Sequence, residues 1–461
     1  MGDFIRGMKK VSISNIINKG INLYLCLYLY ISFKMNIIEK INLSKMTYEN
    51  LLILKKHLSK REYQGLCKVI FRSNIRKISL KKKIKICFLV FLDTTWGTDS
   101  LYKKLENDDR FDVSISLLPI YDLQTNRRVE KYYRNKGFKV RKYDEKRKDD
   151  DIFFFSTLYN LKSLAYRDAK NQCLSSLNIW IPYTFWFDKV SDKLFETENA
   201  LCCWKVYCPS IIHQKIGRKI CDIGMINMIY SGYPKMDNLY KSEEKKVKWK
   251  CENSEAKKII YAPGYYFMEE ENNFSTFEMN YIEIYKYAKE HPQETSWVIR
   301  PHPILGTTLV NAKIFSDISD YNNYLDMWRK LPNAEVSIGG DYQELFSTSD
   351  GLILDSISFV SGYQYVNKPL LFLKRKEQMD INLYGKRLIE VVYQTQGNCH
   401  EQIYHFIEDV IINGNDSLKQ KREEFFEQYL NYKKYNGKLS SEYIYEDICA
   451  ALFERDEFSA C

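Results

Sequence analysis

The stretch that decides the fold is Ser347–Leu373, which reads STSDGLILDSISFVSGYQYVNKPLLFL. Its first apolar run, Leu352–Leu354, is too short for a helix, and a second apolar run follows at Leu370–Leu373. Short apolar runs of this kind are typical of buried parallel strands. We therefore predict a strand, a polar turn, a helix through Phe359 and Tyr365, and a second strand.

Three small polar residues, Asp355, Ser356 and Ser358, follow the first of these strands. Open α/β sheets bind ligands at the carboxyl ends of their strands. A serine there most often caps the next helix, and the free N–H groups of a helix start also attract anions. The pattern leaves both interpretations open: simple capping, or an anion site.

Two further motifs place charged residues beside turns or strand ends. The segment SGYPKMDNL puts Lys235 and Asp237 just after a Gly-Tyr-Pro turn. The segment IRPHP ends an apolar strand on Arg300 and His302, and prolines flank the imidazole on both sides. Histidine titrates near neutral pH, so His302 is a candidate for acid–base chemistry.

The order of these motifs resembles that of a known enzyme family. The last half of the chain contains four motifs in this order: GYP-K-x-D, R-x-H-P, SD-x-L-x-x-D-S-x-S and K-P-L-L-F. This order resembles that of the CDP-glycerol glycerophosphotransferases, which build teichoic acids and related capsular polymers. The resemblance implies transfer of glycerol phosphate, or a related polyol phosphate, from CDP-glycerol to a lipid-linked or polymer acceptor. CMP is released, and no cofactor or metal is expected.

The resemblance also implies roles for individual residues. His302 is the candidate base or phosphate donor, and Asp355 either bonds glycerol hydroxyls or ends its strand. The remaining candidates are residues that would hold the donor and its phosphates: Arg300, Lys235, Asp237, Ser356, Ser358 and Lys368. We expect Arg300 and His302, two residues apart, to share one strand face.

The first half of the chain departs from the family pattern. Family polymerases carry an H-G-T motif whose histidine is held to be catalytic, and the corresponding region here reads IPYTFW, with Tyr183 and no histidine. A tyrosine with a pKa near 10 is a poor base at neutral pH. The nearest histidine, His213, is predicted on a helix surface. Either His302 does the base work alone, or Tyr183 takes part in a different chemistry.

Chain length and element order predict two α/β domains. At 461 residues the chain suits two domains, each with its own core. We predict a helical leader at 1–80, a first Rossmann-like domain at 81–240, a linker at 241–258, a nucleotide-donor domain at 259–415 and terminal helices at 416–461. Two doubly wound Rossmann-type sheets facing a cleft form the GT-B architecture, which the family resemblance also implies.

Individual elements follow from apolar runs. In the first domain we predict strands at Ile86–Asp93, Asp112–Leu118 and Phe138–Tyr143, with a helix before Gly137 that this glycine ends. In the second domain we predict that Ile389–Tyr393 supplies the last strand.

The basic charge is concentrated at the N-terminus. The chain carries a net charge of +10, but residues 1–85 hold 19 Lys and Arg against 4 Asp and Glu, so the rest of the chain is net negative. The aromatic run Ile21–Phe33 is 13 residues, short of the roughly 20 that span a bilayer. We expect a leader that binds an anionic membrane surface, or one that is poorly ordered or packed on the core, with Met35 or Met46 as alternative starts.

Other function classes lack their motifs. No G-x-G-x-x-G, Walker A or nucleophile-elbow pattern is present, no nucleic-acid motif accompanies the charge, and the twelve cysteines lack metal-ligand spacing. We therefore expect a cytoplasmic protein, peripheral on the inner face of the cell membrane. Two alternatives remain open: a GT-B glycosyltransferase or sugar-nucleotide epimerase using a UDP-sugar, and a non-catalytic nucleotide-binding relative.

Overall fold

The computed structural model describes residues 48–90, 92–118, 123–142, 150–157, 175–196, 198–240, 247, 249–265, 274–376 and 380–454. The predictions for the basic leader before residue 48 lie outside them. The chain forms two compact units. The N-terminal unit holds the chain up to Tyr183, Lys193–Pro234 and the chain from Asn436, whereas the C-terminal unit holds Thr184–Asp192 and Lys235–Tyr435.

Within the described residues, thirteen strands form two parallel sheets, as the alternation of strands and helices predicts. The strands are β1 (Ile84–Val90), β2 (Phe111–Leu117), β3 (Val140–Lys142), β4 (Ile152–Phe155), β5 (Leu177–Trp180), β6 (Cys203–Cys208), β7 (Met228–Tyr230), β8 (Lys257–Ala262), β9 (Thr295–Ile299), β10 (Ala334–Val336), β11 (Gly351–Leu354), β12 (Leu370–Lys374) and β13 (Tyr393–Gln396). The first seven belong to the N-terminal unit and the last six to the C-terminal unit, so the predicted α/β class with two doubly wound sheets is confirmed.

Helices connect the strands. They are α1 (Tyr48–His57), α2 (Lys60–Ser79), α3 (Asp99–Glu106), α4 (Leu123–Asn135), α5 (Glu198–Leu201), α6 (Ile211–Ile220), α7 (Gly224–Asn227), α8 (Phe277–Glu290), α9 (Leu305–Asn311), α10 (Ile318–Arg329), α11 (Gln343–Thr348), α12 (Ile357–Tyr363), α13 (Leu383–Ile389), α14 (His400–His405), α15 (Lys419–Tyr429), α16 (Tyr432–Asn436) and α17 (Ser440–Phe453). Three shorter stretches are 3₁₀-helical, Ser191–Phe195, Pro234–Tyr240 and Gln364–Val366, and α14 continues as a π-helix over Phe406–Ile412.

Each sheet has one point where the strand order reverses. The N-terminal sheet runs β3-β2-β1-β4-β5-β6-β7, and the C-terminal sheet runs β10-β9-β8-β11-β12-β13. The reversal therefore falls between β1 and β4 in the first sheet and between β8 and β11 in the second. All strands are parallel, so their carboxyl ends share one edge of each sheet, which we call the carboxyl edge. Ligands of such sheets bind at this edge, beside the reversal.

Local sequence signals explain how several helices begin and end. Ser59 and Glu62 form a capping box at the start of α2, in which the Ser59 N–H donates to Glu62 Oε2 at 2.9 Å. The helix α4 ends before Gly137, whose φ of +78° is the left-handed conformation predicted for it. The predicted strands of the first domain are confirmed at β1, β2 and β3 with shifts of one to three residues at their ends.

The deciding stretch Ser347–Leu373 folds as predicted, into β11, α12 and β12. The predicted strand at Ile389–Tyr393 is wrong: Ile389 ends α13, and β13 begins at Tyr393. The helix forms because the Asn382 side chain accepts the Gly385 N–H at 2.9 Å and caps its start. A short apolar run cannot by itself distinguish a helix end from a strand.

The units include segments beyond the predicted domain boundaries. The helix α2, predicted as part of the leader, packs against β5, and its Asn74 side chain donates to the Ser176 carbonyl at 3.2 Å. The last helix, α17, packs on α2 and α3 of the N-terminal unit. In the part of the chain with described coordinates, no helix combines the length and apolar character that a bilayer span requires.

The core of the C-terminal unit is formed by aromatic and branched side chains from both the sheet and its helices, including Trp297, Trp328, Ile353 and Ile407. The π-helix packs closely against β11, where Gly351 has no side chain. A Cβ atom at position 351 would overlap the Ile411 side chain, with Cγ1 at 2.8 Å.

We expect Gly351→Ala to destabilise the C-terminal unit by about 1 to 3 kcal/mol, because an added methyl group overpacks this contact. Gly362→Ala is the matched control, since its Cβ would meet only ordinary contacts, the nearest at 3.4 Å. Urea unfolding of the two variants measures the difference. Equal midpoints for both variants would contradict the close packing of the π-helix on β11.

Candidate functional site

Three adjacent strands bring candidate residues together at the carboxyl edge of the C-terminal sheet. Arg300 and His302 follow β9, Gly264 follows β8, and Asp355 follows β11. The His302 N–H donates to the Pro263 carbonyl at 3.1 Å, which ties the end of β9 to the end of β8. These residues flank the reversal of strand order between β8 and β11, where parallel sheets bind ligands.

Asp355 joins the strand ends to one another. Its carboxylate accepts the Gly264 N–H and the Thr276 N–H, both at 2.5 Å, and the hydroxyls of Thr276 at 3.1 Å and Ser275 at 3.2 Å. Burial raises the pKa of Asp355, and these four donors oppose that rise. The partners of the carboxylate come from the chain itself, so the structure gives Asp355 a positioning role.

His302 lies half-buried against Tyr265, whose ring centroid is 4.0 Å from that of the imidazole. Its Nδ1 accepts the Ile304 N–H at 3.4 Å, which places the proton of the neutral ring on Nε2. Burial lowers the pKa of His302 from its ordinary value of 6.5 to about 4. The ring is therefore neutral at physiological pH.

Arg300 is buried and turns toward the loop after β10. Its guanidinium donates to Ser337 Oγ at 2.6 Å and to the carbonyls of Gly339 and Gly340 at 2.6 and 2.8 Å. Burial lowers the pKa of Arg300. Arg300 contacts the β10 side and His302 contacts the β8 side, and both residues lie beyond the end of β9. The prediction that they share one strand face is therefore wrong, because the strand ends at Ile299.

Lys235 and Arg300 both lie over the ring of Tyr342. The Lys235 Nζ is 4.5 Å from the ring centroid and the Arg300 guanidinium carbon is 6.0 Å from it. Phe359 of α12 packs on the same tyrosine, with ring centroids 4.6 Å apart. The structure thus gathers two cations around one aromatic ring at the carboxyl edge. Cation–π contacts of this kind contribute about 0.5 to 2 kcal/mol each.

The two serines of the deciding stretch begin α12. Ser356 is half-buried and directly precedes the helix, and a Cβ on Gly264 would lie 3.1 Å from the Ser356 Cβ. Glycine at 264 therefore permits the close approach of the two loops. Ser358 lies in the first turn of α12, and its side chain is outside the described ones. Direct contact of either serine with a phosphate stays a prediction.

The structure places Lys368 and Asp237 in structural roles. Lys368 precedes β12, at the amino end of the strand, and its Nζ donates to the Ser347 carbonyl at 2.7 Å and to the Ser349 carbonyl. It thereby satisfies carbonyl groups at the end of α11. Asp237 is fully buried and accepts the Tyr432 hydroxyl at 2.7 Å. Lys368 is therefore not at the edge where the other candidates meet.

Tyr183 lies in the N-terminal unit, just after β5. Its N–H donates to the Ser156 carbonyl at 3.0 Å, and its carbonyl accepts the Tyr233 hydroxyl. The prediction for His213 is wrong: the side chain is fully buried in α6, with Nδ1 2.6 Å from the hydroxyl of Ser210. Among the described residues, no cluster of three or more His, Cys, Asp or Glu side chains could hold a metal ion.

Sequence reasoning missed two aromatic residues of the site, Tyr265 and Tyr342. Tyr265 is the residue after the Pro263–Gly264 turn that ends β8, a position where a ring meets the ligand edge of a parallel sheet. Tyr342 had no comparable signal. Its contact with Phe346, four residues later, is local, but its contacts with Lys235, Arg300 and Phe359 come from tertiary packing.

Comparison with known proteins supports the fold and identifies the family. The sequence model of the CDP-glycerol:poly(glycerophosphate) glycerophosphotransferases matches residues 189–450, more than half of the chain. No curated protein matches the chain in sequence.

Solved structures share the fold. The wall teichoic acid polymerase TagF aligns with a TM-score of 0.54 at 13% identity over 89% of this chain and 97% of that chain. A variant of TagF soaked with CDPG aligns with a TM-score of 0.51 at 12% identity, over 88% of this chain and 95% of that chain. A UDP-N-acetylglucosamine 2-epimerase aligns with a TM-score of 0.50 at 11% identity, over 80% of this chain and 96% of that chain. Identities this low bear on the fold alone, which is the predicted GT-B-like α/β fold.

The motifs around Lys235, Arg300, His302 and Asp355 all lie inside the matched range, which extends from residue 189 to residue 450. The chain belongs to the CDP-glycerol:poly(glycerophosphate) glycerophosphotransferase family.

Proposed function

We propose that this protein transfers glycerol phosphate from CDP-glycerol to a hydroxyl group on a growing polymer and releases CMP. The family match over residues 189–450 carries the proposal. In the reaction, the acceptor oxygen bonds to the phosphorus that bears the glycerol. The bond from that phosphorus to the oxygen shared with CMP breaks, CMP leaves with its electron pair, and the acceptor proton passes to solvent.

The cations at the carboxyl edge support the use of a diphosphate donor. Arg300 donates to one hydroxyl and two carbonyls and also interacts electrostatically with the carboxylate of Asp341, and Lys235 shares the Tyr342 ring with it. Two positive charges in a partly dry site attract a diphosphate more strongly than they would in water. Such fixed charges need little reorganisation when charge moves from the transferred phosphate to CMP.

His302 is proposed as a hydrogen-bond donor to the transferred phosphate. The Ile304 N–H donates to Nδ1, so the neutral ring carries its proton on Nε2, which is then the nitrogen available to donate. A base would need a free lone pair on the nitrogen that faces the acceptor. The geometry therefore favours donation over proton abstraction, the two roles that the sequence left open for this residue.

The reaction class is tested by incubating the purified protein with CDP-glycerol, CDP-ribitol and UDP-sugars and measuring nucleotide release. We expect CMP release from CDP-glycerol that increases when a glycerol phosphate oligomer is added. Turnover of a UDP-sugar without CMP release would favour the glycosyltransferase or epimerase alternative. Binding of CDP-glycerol without any release would indicate a non-catalytic relative.

We expect His302→Ala to lower kcat/KM for CDP-glycerol about 100-fold, the usual loss when one donor to a developing charge is removed. His302→Gln should recover at least about tenfold of this loss, because its amide N–H reaches the position of Nε2–H. If the Gln variant is as inactive as the Ala variant, His302 acts as the base.

The pH dependence gives an independent check on His302. Burial disfavours the charged imidazolium, so the pKa falls to about 4 and the ring stays neutral at every pH well above 4. The ratio of wild-type to His302→Gln kcat/KM should therefore be constant between pH 5 and 8. A change in this ratio centred near pH 6.5 would show that His302 titrates as an exposed histidine does.

We further propose a lipid-linked acceptor and attachment to an anionic membrane surface through the leader. The composition of residues 1–85 supports this, with 19 basic against 4 acidic residues. The protein should co-sediment with phosphatidylglycerol vesicles and not with phosphatidylcholine vesicles. Deletion of residues 1–45 should abolish this binding, and salt should weaken it. Vesicle binding that survives the deletion would rule out the leader as the anchor.

A further inference from the structure

One short segment, Ser337–Gln343, contacts both cations at the carboxyl edge of the C-terminal unit. It runs from the end of β10 to the first residue of α11 and reads SIGGDYQ, and we call it the Gly-Gly loop. The Ser337 N–H donates to the Ile299 carbonyl at 3.0 Å, which extends the pairing of β10 with β9. The loop therefore starts beside the end of the strand that Arg300 follows.

Three residues of the Gly-Gly loop bind the guanidinium of Arg300. Ser337 Oγ accepts from Nη1, and the carbonyls of Gly339 and Gly340 both accept from Nη2. A guanidinium carries five N–H groups, and these bonds use no more than three of them. At least two, Nε–H among them, therefore have no hydrogen-bond partner among the described residues. The loop fixes the direction of the guanidinium without using all of its donors.

The Gly-Gly loop also contacts Lys235, at two points. The ring centroid of Tyr342 is 4.5 Å from the Lys235 Nζ. The buried side chain of Gln343 donates from Nε2 to the Lys235 carbonyl at 3.1 Å, and its Oε1 accepts the Tyr342 N–H at 3.2 Å. A single loop thus sets the positions of two cations that are far apart in the sequence.

Two glycines give the loop its conformation. Gly339 and Gly340 have φ angles of +68° and +71°, in the left-handed region that residues with a Cβ atom rarely adopt. A Cβ at either position would meet no atom within 4 Å, so the backbone and not the available space requires glycine. The carbonyls that bind Arg300 belong to these same two residues. The conformation that requires glycine is therefore the one that turns both carbonyls toward the guanidinium.

The loop gathers more positive than negative charge. Its own carboxylate, on the exposed Asp341, interacts electrostatically with Arg300 and favours the charged guanidinium. Arg300 and Lys235 together carry two positive charges against this single negative charge. A ligand with two adjacent phosphate groups has an anionic group for each cation, whereas a ligand with one phosphate has not.

We propose that the Gly-Gly loop is a positioning element that favours a nucleoside diphosphate over a nucleoside monophosphate, because it holds Arg300 and Lys235 in fixed places around Tyr342. This inference rests on the proposed function, in which the donor CDP-glycerol carries a diphosphate and the product CMP carries one phosphate. Tighter binding of the diphosphate lets the product leave after transfer. Disturbing the loop should weaken diphosphate binding more than monophosphate binding.

The test measures the Kd of CDP and of CMP by calorimetry with the full-length protein, since neither nucleotide can donate glycerol phosphate. Wild type should bind CDP more tightly than CMP. Gly339→Ala and Gly340→Ala should each raise the Kd for CDP about tenfold, the effect of one disturbed hydrogen bond to a charged group, and the Kd for CMP less than about threefold. Gly340→Asn should recover most of this loss, because asparagine adopts left-handed φ angles more readily than alanine.

Gly414→Ala is the matched control. Gly414 lies in the same unit, in the turn after the π-helix, with a φ of +78° and no atom within 4 Å of an added Cβ. The substitution therefore imposes a similar backbone strain outside the loop. It should lower the urea midpoint of unfolding about as much as the loop variants do, and it should leave both Kd values unchanged.

A double-mutant cycle tests whether the glycines act through Arg300. In an Arg300→Lys background, Gly340→Ala should raise the Kd for CDP by less than about twofold, because lysine lacks the guanidinium that the two carbonyls hold. If these results accompany a complete absence of CMP release from CDP-glycerol, the loop assignment stands and the proposed reaction fails. If folded Gly339→Ala and Gly340→Ala variants keep the wild-type ratio of the two Kd values, or if Gly414→Ala changes that ratio as much as they do, the inference is overturned.

Discussion

The C-terminal site depends on one buried carboxylate. Asp355 accepts four hydrogen bonds from Gly264, Ser275 and Thr276, and so joins the end of β11 to the loop after β8 and to the start of α8. An unbonded carboxylate in such a place would cost several kcal/mol. Because its donors come from segments distant in sequence, the carboxylate holds the strand ends in a single arrangement. His302 shares that arrangement through its backbone bond to Pro263.

The charge distribution at this edge is the second constraint. Arg300 and Lys235 carry like charges and both lie near the ring of Tyr342, an arrangement that repulsion alone would disfavour. The ring quadrupole and the carbonyls of Gly339 and Gly340 offset this repulsion in part. An anion at the same edge would offset it further. The carboxylate of Asp341 also favours the charged form of Arg300, so a fixed negative charge offsets part of the repulsion at this edge as well.

Sequence predicts the fold better than it predicts the site. Strand runs such as Leu352–Leu354 are buried on both faces and read as unbroken apolar segments, which is why the parallel sheets could be predicted. The sequence does not predict at which edge of a sheet a side chain lies. Lys368 lies in a stretch that resembles a family motif, yet it precedes β12 at the amino end of the strand. His213 lies on an apparently polar helix, yet it is fully buried. Tertiary packing determines the positions of both side chains, and short-range sequence patterns carry no information about such packing.

The two units differ in the charge of the residues at the carboxyl edges of their sheets. The C-terminal edge is cationic, with Arg300 and Lys235, and suits phosphate. The residues that line a pocket at the carboxyl edge of the N-terminal sheet are uncharged, Trp96 and Ser156 among them. Tyr183 of the IPYTFW segment belongs to this uncharged lining. The positive charge that suits a diphosphate therefore lies in the C-terminal unit and not among the residues that line the N-terminal edge.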